Sequence, residues 1–99
     1  MTNAEINRKV LEIIGWISPK PEQHISPPDF FAQEANPMPL IRWCERNDIV
    51  WQLGLSLEGR HYATIRSRKA GSDYFTEYDA NISVAAFARA IVQQKEGRE

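Results

Sequence analysis

Arg60, Arg66, Arg68 and Lys69 lie within the stretch RHYATIRSRKAG (residues 60–71), which contains no acidic residue. Guanidinium groups are planar, doubly donating and always charged, so this pattern can hold phosphate or carboxylate, and Tyr62 adds a ring for stacking. Other chemistry-bearing residues are sparse. His24 and His61 are the two histidines, without H-x-x-x-H or C-x-x-C spacing, whereas a metal needs three or four converging donors. Cys44 is the single cysteine, which excludes an internal disulfide and a multi-cysteine zinc site. Beside Trp43 on a helix, it reads as a small apolar core residue rather than a nucleophile paired with histidine. Gly54, Gly59 and Gly71 are scattered and form no phosphate-cradling loop. Glu77 and Asp79 share a strand face, as paired acid–base carboxylates would, but nothing in the sequence frames a cleft around them. No catalytic residue, cofactor or metal ligand is assigned, and the chain is expected to be non-enzymatic.

The arginines have two readings. On one strand, Arg60, Arg66 and Arg68 share a face with Tyr62 and Thr64, which could form an anion or nucleic-acid site extended by Lys69. Alternatively, Tyr74 and Tyr78 point inward, and Glu77 and Asp79 then point outward with Glu58 beside the arginines. Cross-strand pairs of opposite charge would neutralise that face, each contributing roughly 0.2–1 kcal/mol. The neutralised face is the simpler expectation.

The elements that would position these residues follow from spacing. Thr2 and Glu5 make a capping box. Ile6, Val10, Ile13, Ile14 and Ile17 form one helical stripe, with Asn7, Arg8, Lys9 and Glu12 turned to water and Gly15 as the C-terminal cap. Residues 18–29 hold four prolines and read as an extended connector. Ser26, Pro27 and Pro28 can open a second helical segment over residues 28–47, interrupted at Pro37 and Pro39. From Ile49 the period becomes two: Trp51, Leu53, Leu55 and Leu57 alternate with Gln52, Gly54, Ser56 and Glu58. Turns at 58–60 and in KAGSD give a three-stranded antiparallel meander. Its well-covered face is expected to comprise Trp51, Leu53, Leu55, Leu57 and Ile65. Val84, Phe87, Ala88, Ile91 and Val92 mark a last helix beginning near Asn81 or Ser83.

Ninety-nine residues with 42% hydrophobic and 25% charged content fit one domain spanning 1–99. No apolar run approaches the roughly 18 residues of a membrane span, so no membrane contact is expected. The N-terminal residues lack a signal-peptide pattern, which makes the cytoplasm the expected location. The formal net charge is −1, whereas duplex-binding proteins are usually basic overall, so any nucleic-acid role rests on the local patch.

The chain opens with INRKVLEIIGW and closes with YFTEYDANISVAAFARAIVQQ. With the order helix, Pro-bearing loop, helix, three strands, helix, it resembles the small phage-encoded proteins of the phage ABA sandwich domain. In that family a short helix ends in Gly-Trp, here Gly15-Trp16, and a tyrosine strand runs into an alanine-rich helix, here Tyr78 to Ala90. The chain departs from the pattern at NPMP, where an unbroken helix belongs. The resemblance covers nearly the whole chain in element order. It implies helices about a sheet and a phage or prophage origin (hence a host cytoplasm), but no settled activity and no functional residue.

The expected fold is therefore α+β: a meander packed against the N- and C-terminal helices, with a Pro-interrupted middle helix, like an α/β/α sandwich. The expected role is binding through protein–protein contact or homo-oligomerisation. Trp16, His24, Pro27 and Phe30 are the candidate partner contacts, because aromatics are enriched at interface hot spots. Anion or nucleic-acid binding through Arg60, Tyr62, Arg66, Arg68 and Lys69 is the alternative.

Overall fold

The computed structural model describes residues 1–17 and 26–96. In chain order these form α1 (Asn3–Ile14), α2 (Met38–Arg46), β1 (Ile49–Leu55), β2 (His61–Ser67), β3 (Phe75–Asp79) and α3 (Ser83–Glu96). The sheet is an antiparallel meander in the order β1-β2-β3, and the helices pack against it, giving the α+β fold expected from the spacing.

Thr2 caps α1: its hydroxyl accepts the Glu5 amide at 3.2 Å. Gly15 ends the helix in the left-handed region at φ 70°, and the Gly15 and Trp16 amides turn back to Glu12 and Leu11, a paired-amide C-cap. This cap removes Ile17 from the helical stripe. Ile17 is 80% exposed, so its expected place on the apolar side is corrected. Asn7 is corrected in the opposite sense. Rather than facing water, it clamps the loop before α2, donating from Nδ2 to the Pro28 carbonyl and accepting the Phe30 amide at Oδ1, both at 2.9 Å. That clamp seats Phe30 fully in the core.

The middle segment is shorter than the expected 28–47. Residues 30–34 make successive turns, and helix begins at Met38. Pro37 explains the difference: it disfavours helical backbone at Asn36, so helix does not propagate across it from the Phe30 side, whereas Pro39 sits in the first turn of α2, where its missing N–H leaves no helical bond unmade. Leu40, Trp43 and Cys44 form the buried side of α2, which packs on β1. Asp48 then takes a left-handed turn at φ 56°, a conformation aspartate tolerates better than most residues. Its carbonyl accepts the Arg68 amide at 3.0 Å, fastening the corner to β2.

α3 is the centre of the molecule. Ala85, Ala86, Phe87 and Ala88 are all buried. Four consecutive buried positions go once round a helix, so this turn of α3 is covered on every side. It touches β2 and β3 and also α1, and its alanines allow close approach. Its Phe87 ring stacks on Trp51, centroids 6.0 Å apart.

α3 also decides how much of β1 is covered. The Ser83 hydroxyl, at the start of the helix, donates to the Gly54 carbonyl at 3.2 Å, so the strand runs on past the helix end. Leu53 packs against the core, but Trp51 sits at the rim, 38% exposed. Leu55 is 61% exposed, and Leu57, in the turn, is fully exposed. The expected covered face is therefore corrected at Leu55 and Leu57. Alternation places them on the α3 side of the sheet, but the helix does not reach them. No described helix is long and apolar enough to cross a membrane.

Candidate functional site

No described helix lies over the face of the sheet opposite α3, and the residues there form a grid of three rows. Strand pairing sets Gly54, Tyr62 and Tyr78 side by side, then Gln52, Thr64 and Thr76, then Val50 and Arg66, with Tyr74 just ahead of β3. Val50, Gln52, Tyr74, Thr76 and Tyr78 are exposed. The side chains are cross-linked. Gln52 Nε2 donates to the Tyr62 hydroxyl at 3.0 Å, the Thr64 and Thr76 hydroxyls lie 2.9 Å apart, and Arg66 Nη1 donates to the Tyr74 hydroxyl at 3.0 Å. Guanidinium groups lie over two of the rings: Arg60 is 4.3 Å from the Tyr78 centroid and Arg66 is 5.0 Å from that of Tyr74. Such contacts hold a cation in place without cancelling its charge.

The grid contains no acid, and this overturns the neutralised reading. Glu77 pairs with Ala63 and Asp79 with His61, so both carboxylates belong to the α3 side, while Tyr74 and Tyr78 point outward. No described carboxylate forms an ion pair with Arg60 or Arg66. The basic set is therefore split. Arg60, Tyr62 and Arg66 come together. Arg68, beyond the end of β2, is ion-paired with Asp48 at 3.5 Å, and Lys69 is exposed in the following turn. Sequence reasoning missed Tyr74 and Tyr78 because it sent tyrosine inward. The signal available was Phe75: it lacks a hydroxyl, pairs with Ile65 and packs on the core, which fixes the other parity for the tyrosines.

Tyr62 owes its position to Gly54. A Cβ on residue 54 would lie 2.8 Å from the Tyr62 hydroxyl and 2.9 Å from two ring carbons. The outer end of the ring therefore packs over the glycine, as aromatics that cover a strand glycine and pin register do.

On the covered side, Asp79 is an anchor. Burial opposes its ionisation, but hydrogen bonds from the Ile82 and Asn81 amides and the Arg89 guanidinium outweigh this and hold its pKa below the ordinary 3.8. A carboxyl depressed by folding stabilises the fold above its unfolded pKa, and that contribution is lost as pH falls through the folded one. Melting temperature is therefore expected to drop as pH is lowered below about 4, and Asp79→Asn should flatten that acid limb in a pH series of thermal melts.

His61 and Ser83 are 3.3 Å apart, a contact not evident from sequence. The Ser83 hydroxyl also reaches the Gly54 carbonyl at 3.2 Å, so it links β1 and β2 at the start of α3. Ser83 thus serves as a structural bridge between the helix and the sheet. Cys44 is fully buried, and burial with the neighbouring Glu45 carboxylate pushes its thiol up to about 12, the opposite of an activated thiolate. No group of three or more His, Cys, Asp or Glu among the described residues could hold a metal ion.

The proposed partner contacts are dispersed. Trp16 packs against the core and lines a shallow cavity of about 330 Å³ with Ile17, Pro39 and Arg42. Pro27 is exposed, Phe30 is wholly interior, and His24 lies outside the described residues. Comparison with protein-family models, curated proteins and solved structures finds no match for the chain.

Proposed function

We propose that this is a non-enzymatic binding domain whose working surface is the uncovered sheet face, where Arg60 and Arg66 hold anionic groups of a macromolecular ligand, phosphates foremost. The observation that supports this reading is that the three rows of the grid hold no carboxylate among the described residues, with Glu77 and Asp79 turned to the opposite face. Anchored guanidinium groups lose little freedom on binding, and Thr64, Thr76 and Gln52 offer neutral hydrogen-bonding groups between them. Inorganic polyphosphate is a suitable first probe. Its dissociation constant should rise with salt, and Arg60→Gln with Arg66→Gln should lower the slope of log Kd against log salt by about 1–2. Binding that is unchanged in the double variant overturns the proposal.

Protein–protein contact or self-association is the second reading, supported by a different surface. β1 is an edge strand without a charged residue, and Trp51, Leu55 and the adjoining Leu57 are exposed on it. Edges normally carry charge, proline or cover against pairing with another chain. A monomeric mass by light scattering at high concentration would count against self-association. A phage or prophage origin stays a proposal, resting on Gly15-Trp16 and the Tyr78 to Ala90 stretch.

A further inference from the structure

We infer that the ligand of the open sheet face is single-stranded nucleic acid, its bases stacking on the Tyr62 and Arg60–Tyr78 row and its phosphates meeting Arg60 and Arg66. This inference rests on the anion-binding reading above and adds what the rings contribute. Charge selects a polyanion, because the grid presents two guanidinium groups and no carboxylate. The rings select among polyanions. Tyr62 leans over Gly54 with its hydroxyl and outer ring carbons nearest the glycine and stays partly exposed, and an aromatic ring at an open surface finds its partner in another flat π-system. Polyphosphate and acidic peptides of aspartate and glutamate have none. A duplex has bases, but they are stacked on one another and show only their edges in the grooves, so their faces are closed to a tyrosine. An unpaired base offers its face. The guanidinium over Tyr78 extends the platform, since bases stack on arginine planes as well as on aromatic rings. Tyr62 and Arg66 are four residues apart on β2, about 13 Å along the strand, so a chain of several nucleotides running along β2 reaches both rows and a mononucleotide reaches only one. The neutral Gln52, Thr64 and Thr76 between the rows fit binding with little sequence preference.

The test uses the full chain and fluorescence anisotropy with four probes: a short oligothymidylate, the same strand in a duplex, inorganic polyphosphate and polyglutamate. The single strand should bind tightest. Tyr62→Leu, and Gly54→Ala, whose Cβ would lift the ring, should each lower the affinity for oligothymidylate relative to polyphosphate by about tenfold. The contact at Gly54 is with the mobile end of a side chain, so Gly54→Ala should shift the ring rather than unfold the sheet. Melting curves check this, and Tyr62→Leu decides alone if it does unfold. Equal binding of polyphosphate and oligothymidylate, with no effect of Tyr62→Leu, overturns the stacking inference and leaves the anion reading intact. A preference for duplex also overturns it. A preference for polyglutamate overturns it in favour of an acidic protein partner. Failure to bind any of the four overturns both readings together.

Discussion

Phe87→Ala is expected to destabilise the domain by about 4 kcal/mol. Phe87 has no exposed surface and lies on α3, which touches all three strands and α1. Its removal forfeits the transfer free energy of the ring and leaves a cavity. Its neighbours on α3 (Ala85, Ala86 and Ala88) are too small to collapse into that space. The Trp51 ring stacked on Phe87 would lose its support and present still more apolar surface to water. In a domain of this size such a change lowers the melting temperature by roughly 20 °C, readable by circular dichroism or urea denaturation. A loss below about 1 kcal/mol, the ordinary scale of a surface substitution, would contradict the placement of α3 between the sheet and α1.

Arg89→Ala should cost about 2–3 kcal/mol, an effect that reading the sequence did not anticipate. Arg89 joins four parts of the chain. It donates to Asp79 Oδ1 at 2.7 Å, to the Tyr78 carbonyl at 3.0 Å and to Asn3 Oδ1 at 3.1 Å, and its guanidinium lies over the Phe31 ring at 5.2 Å. Truncation would leave the partly buried Asp79 carboxylate without its counter-charge, which is costlier than losing an exposed pair. Lysine should rescue little, because a single ammonium cannot reproduce the divergent donors of a guanidinium. A double-mutant cycle with Asp79→Asn should show strong non-additivity in denaturant melts. Additive losses would mean that the two residues act independently.

These two residues differ in how far the sequence announces them. Phe87 is legible: Val84, Phe87, Ala88, Ile91 and Val92 repeat at helical spacing, so its burial follows from pattern. Arg89 sits on the same helix as an ordinary polar position, and its role exists only once Asn3, Phe31, Tyr78 and Asp79 have been brought together. The candidate site divides in the same way. That Arg60, Tyr62, Thr64 and Arg66 share a face follows from the two-residue period of β2. That the three rows carry no carboxylate depends on the parity of β3, where Tyr74, Thr76 and Tyr78 compete with Phe75, Glu77 and Asp79 for the outside. Both sets mix polar and apolar character, so alternation alone does not choose between them. The choice lies with Arg89, which captures Asp79, and with the α3 core, which takes Phe75.

The sequence by itself determined the element types, the caps at Thr2 and Gly15, the antiparallel meander and the burial of Cys44, because these rest on local propensity, on chain reversal at glycine turns and on periodicity within a few residues. Tertiary structure alone decided that Leu55 and Leu57 lie open while Phe30 is enclosed, that Asn7 grips a distant loop, and that the tyrosines join the arginines. Each of these depends on where one element ends against another, and short-range spacing carries no record of how far a packed helix extends across its sheet.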